Sequence, residues 1–256
     1  MLNVIAYKNQ KGLNIVELMV GTLVGLLVIT GVMTVYLSAV KSSADTLKAA
    51  KLNQELNAAM SLMVRDIRRA GYYEGVAAAD LTNPYMVSTG ANPTNLDIKA
   101  TNGPCILYTY DRDGTGTTAD TATEFFGFRL NNNAIEIRTG AGDKTNSCTN
   151  GTWAAITDNS IITINTLTFT TEHSKCLNSS SAADPQANWS ITTTTSTSFP
   201  CRDLTGTGYV LPTTGDVLVE TRHITIQIDA ELTSDSVVSK SLQESTRVRN
   251  DRVTVY

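Results

Sequence analysis

The sequence predicts an α+β protein in which one long N-terminal helix packs against an antiparallel β-sheet. Three observations predict this fold class. Residues 18–40 contain no charge, apolar residues then recur at three- and four-residue spacing as far as Ala70, and apolar and polar residues alternate beyond Pro104. Apolar residues at three- and four-residue spacing are typical of a helix, and alternation of apolar and polar residues is typical of strands. The chain is therefore expected to change from helix to sheet through a loop between residues 72 and 104.

Composition limits the functions to consider. The 256 residues allow one or two domains and a sizeable core. Charged residues make up only 17% of the chain, which is low for a soluble enzyme, whereas threonine, serine and asparagine are abundant. These polar residues favour short strands and polar loops. A net charge of −4 gives no reason to expect a nucleic-acid partner.

The first half of the predicted helix is long enough to cross a membrane. Its 23 uncharged residues, 18–40, would extend about 35 Å as a helix, and a bilayer core is about 30 Å thick. Glu17 opens this run, and a lone charge in a bilayer costs about 3 kcal/mol or more. Glu17 is therefore expected to have a cationic partner. Cutting the chain after Gly12 would create an α-amine about one helical turn away.

The residues around this carboxylate carry a family resemblance. Gly12, the four residues 13–16, Glu17 and the long apolar helix resemble the prepilin-type cleavage and methylation signature of type IV pilins and of the pseudopilins of type II secretion. The resemblance implies that a prepilin peptidase cuts after Gly12 and methylates the amine of Leu13, where the family usually has phenylalanine. It also implies that Glu17 neutralises the amine of an adjacent subunit during assembly.

Within these families the chain is most similar to PilW-type minor pilins. The similarity is carried by residues 12–73, including the helix end at 65–73, and more loosely by 108–114, 128–130 and 247–250. Three other interpretations of the apolar run compete with it. A secretory signal peptide would have a shorter run and a small-x-small cleavage site. A plain membrane anchor rarely admits a glutamate, and a buried helix of a soluble protein is rarely this long.

Charge placement predicts the orientation of the span. Lys8 and Lys11 precede it, so the leader is expected in the cytoplasm and the chain beyond Val40 in the periplasm, although lysines also follow the span closely. Gly21 and Gly25 form a small-xxx-small pair that permits close helix contact in a membrane. Ordinary glycine usage in spans is the alternative explanation of that pair.

The second half of the helix is predicted to be amphipathic. Its apolar stripe is expected to pack on the sheet, with Asp66 and the other charged residues mostly elsewhere; the stripe comprises Leu52, Leu56, Ala59, Met63, Ile67 and Ala70. Gly71 is a candidate C-cap. The predicted organisation is a leader at 1–12, a membrane and assembly half of the helix at 13–40, an amphipathic half at 41–71 and an exported β-rich domain at 72–256.

Period-two alternation and turn residues predict the strands beyond the loop. Antiparallel neighbours are expected because the connections are too short for helical crossovers, and Asn131-Asn132-Asn133 predicts a hairpin. The Ser/Thr-rich run 190–198 is either an edge strand or a loop. The predicted strands are 106–110, 124–130, 134–139, 161–170, 217–232 (long and bent) and 246–256.

Cysteine usage supports export of the domain. All four cysteines follow the span, and an even number in an exported domain predicts two disulfides. Of the three connectivities, Cys105–Cys148 with Cys176–Cys201 closes the shorter loops and is favoured. A zinc site is disfavoured because the paired short cysteine spacings are missing.

The remaining motifs give little chemistry. Asp111-Arg112-Asp113-Gly114 resembles the start of a calcium loop, but the twelfth position is Ala122 where glutamate is needed, so a turn is favoured and calcium stays open. His173 and His223 lie in no catalytic motif. Glu124 is interpreted, with Glu136, as strand-surface charge. We therefore expect no catalytic residue, no cofactor and no enzyme activity.

The expected function follows from the resemblance. It implies a minor pilin that helps to initiate a type IV pilus and occupies its tip, with roles in twitching motility and cell adhesion. The implied partners are other minor and major pilins, the prepilin peptidase, the inner-membrane assembly machinery and, before assembly, membrane lipid. The expected location is the inner membrane and then the pilus at the cell surface. A type II secretion pseudopilin, a membrane-anchored binding or adhesin domain, and an anchored hydrolase are the alternatives.

Overall fold

The computed structural model describes residues 12, 14–75, 83–87, 96–99, 104–115, 122–139, 147–178, 199–201 and 212–256. One α-helix and eleven strands lie within these ranges, together with 3-10 turns at Pro84–Met86 and Ala122–Glu124. In chain order they are α1 (Ile15–Ile67), β1 (Asp97–Lys99), β2 (Cys105–Thr109), β3 (Phe125–Asn131), β4 (Ala134–Arg138), β5 (Trp153–Ala155), β6 (Ile162–Thr170), β7 (Lys175–Asn178), β8 (Val217–Thr221), β9 (His223–Leu232), β10 (Asp235–Arg247) and β11 (Arg252–Val255).

The strands form three sheets, and the α+β prediction is confirmed. One sheet has the order β1-β2-β3-β4-β5, the second β10-β9-β6 and the third β11-β8-β7. Every pairing is antiparallel. Tight turns join β3 to β4 and β9 to β10, as is typical of antiparallel neighbours.

The chain divides into two compact units, with the boundary between Ala49 and Ala50, inside α1. In the first unit the large apolar side chains of α1 are exposed; Leu26 and Ile29, for example, are 65% and 67% accessible. In the second unit the predicted apolar stripe from Leu52 to Ala70 is buried, and Met60 is buried with it. One helix therefore has an exposed apolar half and a half that belongs to a core.

The core of the second unit joins the helix to the sheets. Phe128 of β3, Leu167 of β6 and Ile226 of β9 are fully buried in the same cluster as Leu56 and Met63 of α1. Burial of side chains of this size stabilises by about 1.5–3 kcal/mol each. The second half of α1 is thus held by tertiary packing, as predicted from its periodicity.

The helix ends earlier than the sequence predicts. It stops at Ile67, and turns lead on to Gly71, which has a left-handed φ of +74°. This backbone conformation is typical of a helix C-cap, but Gly71 lies four residues beyond the last helical residue, and its amide donates to the carbonyl of Thr109 in β2, 2.8 Å away. A backbone hydrogen bond therefore joins the segment just after the helix to strand β2.

Distant segments supply the partners of the carbonyls just beyond the helix. The Arg249 amide donates to the Arg68 carbonyl at 3.1 Å, and the Asn250 side-chain amide donates to the Ala70 carbonyl at 3.3 Å. Fully buried Arg222 donates to the Asn250 carbonyl at 2.8 Å. Because carbonyls at a helix end need partners from outside the helix, these contacts tie the C-terminal segment to α1.

Two strand predictions are wrong in their bounds. The predicted strand 217–232 is divided at Arg222 into β8 and β9, which belong to different sheets. The predicted strand 246–256 joins the end of β10 to β11 across a turn. Strands β1, β5 and β7 and most of β10 went unpredicted, because three are short and β10 is largely polar and exposed.

The other strand predictions are confirmed to within one or two residues. The predicted hairpin is a two-residue turn between β3 and β4, with φ values of 48° at Asn132 and 61° at Asn133. Asparagine tolerates this conformation, which tight hairpins require. The segment predicted as a loop contains the turn Pro84–Met86 and strand β1. The Ser/Thr-rich run 190–198 lies outside the described residues.

Two disulfides cross-link the second unit. They join Cys105 to Cys148 and Cys176 to Cys201, the pairing that closes the shorter loops. Cys201 is held further, because its amide donates to the buried carboxylate of Glu220 at 3.0 Å. Each bridge joins a cysteine in a strand, Cys105 of β2 or Cys176 of β7, to a cysteine that lies outside the strands.

The disulfides lead to a stability prediction. The bridged cysteines are 43 and 25 residues apart, so each bridge is expected to stabilise the fold by about 3.5–4 kcal/mol in the chain-entropy model. Urea unfolding of the protein with and without a reductant measures the loss. Alkylation of unreduced, unfolded protein should label no thiol; labelling of all four cysteines would contradict both the bridges and the exported location.

Candidate functional site

The N-terminal end of α1 presents the predicted assembly carboxylate. The carbonyl of Asn14 accepts the amides of Glu17 at 3.0 Å and Leu18 at 3.1 Å, which begins the helix at Ile15. Glu17 lies exposed in the first turn, where a negative charge suits the helix dipole. Gly12 is exposed, and Leu13 lies outside the described residues.

The helix that follows Glu17 has the surface of a membrane span. Among the described residues, α1 alone is long and apolar enough to cross a membrane, and none of its most apolar stretch is buried. Large apolar side chains cover it on all sides, from Ile15 at 76% exposed to Val40 at 49%. An exposed apolar surface of this extent marks a lipid- or protein-binding segment. The helix is therefore suited to membrane anchoring.

Polar side chains inside this segment are satisfied locally. The hydroxyls of Thr22, Thr30 and Thr34 donate to helix carbonyls at 2.9, 2.5 and 2.7 Å. Groups bonded in this way need no water, which suits them to a bilayer. Glu17 is the charged group of the segment, and its pairing with a cation from outside the helix stays a prediction.

Gly21 and Gly25 lie on an open part of the helix. A Cβ atom placed on either glycine would have no heavy atom within 4 Å, apart from the helix's own backbone. The space above the pair is thus available to another helix. Contact with a second helix through these glycines stays a prediction.

A buried polar cluster fastens α1 to β2 in the second unit. Asp66 is 9% exposed and accepts hydrogen bonds from the hydroxyls of Tyr108 at 2.5 Å and Tyr110 at 3.1 Å. The Arg69 guanidinium lies 3.7 Å from the same carboxylate. The expectation that Asp66 lies away from the packed face is therefore wrong, because the two tyrosines compensate its burial.

Both tyrosines act as donors over the whole neutral range. Burial, more than the neighbouring Asp66 carboxylate, raises the pKa of Tyr108 well above its ordinary value. The same two causes raise the pKa of Tyr110 to about 12. The hydroxyls consequently keep their protons and their hydrogen bonds at physiological pH.

A cleft of about 730 Å³ opens beside this cluster. The rings of Tyr110 and Phe126 stack there, with centroids 4.0 Å apart. Arginine and aspartate side chains share the lining with these rings, so the cleft presents charges of both signs beside an aromatic wall. Sequence patterns gave no signal for this cleft, because its residues come from distant segments; its charged lining is Asp66, Arg69, Asp111, Arg112, Arg138 and Arg249.

The acidic residues noted in the sequence are only partly brought together. Asp111 and Asp113 lie in the loop after β2, and Glu124 joins them from the turn before β3. Glu124 is 1% exposed, so its interpretation as strand-surface charge is wrong. Glu136 lies elsewhere, paired with Arg129 at 2.6 Å.

The described residues give neither histidine a catalytic arrangement. The His223 amide donates to the Ser174 hydroxyl at 2.9 Å, and that hydroxyl donates to the His223 carbonyl at 3.0 Å. These contacts use the backbone of His223. Burial lowers the pKa of the His223 ring, followed by the nearby positive charge of Arg247. The two hydrogen bonds between Ser174 and His223 link the start of β7 to the start of β9.

The fold and the helix define a class of protein, an α+β protein whose apolar N-terminal helix is suited to the membrane. The chain belongs to the family of prepilin peptidase-dependent protein B, PpdB, whose model matches residues 45–248. Membership of this family supports the identification of the chain as a type IV pilin-associated protein. The comparisons found no matching protein with a curated description and no matching solved structure.

The matched range has a consequence for the N-terminal residues. It begins at Asp45, so it covers the second half of α1 and most of the β-rich part. Gly12, Glu17 and the apolar half of the helix lie outside it. The prepilin-type signature is therefore an observation separate from the family match.

Proposed function

We propose that this protein is a minor pilin, most similar to the PilW type, that helps to initiate a pilus and stays at or near its tip. The observation that carries the proposal is the exposed half of α1, which is uncharged over residues 18–40 and is preceded by Glu17, five residues after Gly12. Its membership of a prepilin peptidase-dependent family supports the same role. The protein is a structural subunit in this proposal, without enzyme activity or cofactor.

The proposed mechanism uses the charge at the start of the span. Before processing, the apolar half of α1 anchors the precursor in the inner membrane. Cleavage after Gly12 frees the α-amine of Leu13, and the peptidase then transfers a methyl group to that amine from a methyl donor. A buried charge is unfavourable without a partner, so the amine of one subunit and the Glu17 carboxylate of the next attract each other in the filament. Gly21 and Gly25 allow helices to approach closely beside this pair.

The exported part supplies the contacts that a bulk subunit does not need. The two disulfides suit an oxidising compartment, which supports a periplasmic location for the second unit. Lys8 and Lys11 support a cytoplasmic leader. In the proposal, other minor pilins and the assembly machinery contact this unit, and the major pilins are added beneath it.

Processing provides the direct test. We expect protein from membranes to begin at methylated Leu13, and the Gly12→Val variant to accumulate as the longer precursor, because the branched side chain blocks the peptidase. Intact mass and N-terminal sequencing measure both. Gly31→Val is the matched control: it makes the same change where an added Cβ meets nothing within 4 Å, and it should be processed normally. If the wild-type protein from membranes retains Met1, the proposal is wrong.

A further inference from the structure

Three carboxylates converge where β2 leads towards β3. Asp111, Asp113 and Glu124 each place a carboxylate oxygen within 4.8 Å of those of the other two. Asp111 is 3% and Glu124 is 1% exposed, whereas Asp113 is exposed. Ionised carboxylates this close repel one another, and a cation between them would offset that repulsion.

Within the described part of the chain, the carboxylate of Glu124 has one oxygen with a hydrogen-bond partner and one without. Its Oε1 atom accepts the hydroxyl of buried Tyr85 at 2.6 Å. Its Oε2 atom is buried and has no hydrogen-bond partner among the described residues. No described lysine or arginine forms an ion pair with this carboxylate. A buried carboxylate oxygen left in this state is costly, and a metal ion would satisfy it.

The loop around the aspartates is shaped in advance. The Gly114 amide donates to Asp111 Oδ1 at 2.9 Å, and the Thr115 amide donates to Asp113 Oδ1 at 3.2 Å. Gly114 has a left-handed φ of +68°. A Cβ on it would lie 2.2 Å from a carboxylate oxygen of Glu74, so a fourth acidic group lies against the same loop.

We propose that Asp111, Asp113 and Glu124 bind one Ca²⁺ ion. The ligands are all oxygens, which suit a hard cation. Calcium binds oxygens at about 2.3–2.6 Å, so two oxygens on opposite sides of it are at most about 5 Å apart, in agreement with the spacing here. Ca²⁺ accepts six to eight ligands in flexible geometry, whereas Mg²⁺ requires a near-ideal octahedron and keeps its waters.

The bound ion would join the two ends of the connection between β2 and β3. Asp111 and Asp113 follow β2, and Glu124 immediately precedes β3, so one ion bridges both strand ends. Through Tyr85 it also reaches the turn Pro84–Met86. The site is independent of the proposed role in a pilus, and its test does not depend on assembly.

The test is thermal unfolding of the full-length protein in detergent. The protein is first freed of metal with EGTA and then given 10 mM CaCl₂ or 10 mM MgCl₂ at constant ionic strength. Exported calcium modules have a Kd of about 0.1–1 mM. We therefore expect Ca²⁺ to raise the Tm of the wild type by about 3–10 °C and Mg²⁺ to raise it by much less.

Three variants locate the ion. Glu124→Gln keeps an oxygen for the Tyr85 hydroxyl and removes the charge, so the Ca²⁺-dependent rise in Tm should disappear. Asp113→Asn, at an exposed position, should weaken Ca²⁺ binding at least tenfold in isothermal titration. Asp158→Asn is the matched control, because Asp158 is an exposed aspartate that accepts the amide two residues on, at 2.9 Å. It should keep the full rise.

The possible results distinguish a failure of the proposed site from a failure of the assignment to calcium. A wild-type Tm that does not respond to Ca²⁺ overturns the proposal, as does an equal rise in Asp113→Asn and the wild type. An equal rise with Mg²⁺ overturns the assignment to calcium. If Glu124→Gln fails to fold, Asp113→Asn still decides, because it changes a side chain outside the core.

Discussion

The Glu17→Leu variant is expected to remain in the membrane, to be cut after Gly12 and to be nearly absent from sheared pili. Leucine extends the apolar surface of α1, so insertion should not suffer. The new amine of a neighbouring subunit, however, would lose its carboxylate partner. A lone charge at this depth costs about 3 kcal/mol, and each 1.4 kcal/mol is about a factor of ten. We expect incorporation to fall by about tenfold or more.

Quantitative immunoblots of sheared pili, with the number of pili per cell, measure this effect. Glu17→Asp keeps the charge with a shorter reach and should lower incorporation less. Thr30→Val is the control: it removes a polar group from the same segment, and that hydroxyl is already bonded to the helix. Normal incorporation of Glu17→Leu would show that charge pairing does not drive assembly.

The Asp66→Ala variant is expected to lose about 2–5 kcal/mol of folding free energy. Removal of the carboxylate leaves the buried hydroxyls of Tyr108 and Tyr110 without their acceptor. Each unsatisfied buried polar group costs about 1–3 kcal/mol. The contact joins α1 to β2, so its loss also loosens the packing of the helix on the sheet.

Urea unfolding of the full-length protein in detergent gives the free energies. Asp45→Ala is the matched control on the same helix, because its contact with Lys48 is 3.9 Å long and exposed and should contribute less than 1 kcal/mol. The double variant Asp66→Ala, Tyr108→Phe should cost less than the sum of the two changes, because they share one contact. Equal losses for Asp66→Ala and Asp45→Ala would contradict the role of the cluster.

The helix and the disulfides were the most predictable features. The absence of charge located the apolar segment 18–40, and the three- and four-residue periodicity located the buried stripe that begins at Leu52; both are local properties of the chain. The cysteines Cys105 and Cys148 are joined as loop length favours. The turn at Asn132 was predictable because few residues accept its backbone conformation.

The acidic and arginine-rich sites were not predictable in the same way. A calcium loop has a glutamate at its twelfth position, where this chain has Ala122, whereas the carboxylate that lies near Asp111 and Asp113 belongs to Glu124 in the same turn. Asp66 lies beside a buried stripe, and its burial is compensated by Tyr108 and Tyr110, more than 40 residues further on, together with the nearby Arg69. Contacts between distant residues leave no periodic pattern in the chain.

The sequence by itself determined the long helix, its change from an uncharged to an amphipathic half, and the antiparallel character of the strands. Each depends on the spacing of apolar residues along one element. The tertiary structure alone decided that the stretch from Val217 to Leu232 divides at Arg222 between two sheets. The buried Arg222 guanidinium donates to the Asn250 carbonyl, and Asn250 in turn bonds the carbonyl of Ala70. A buried cation needs such acceptors, and folding brings them from 28 and 152 residues away.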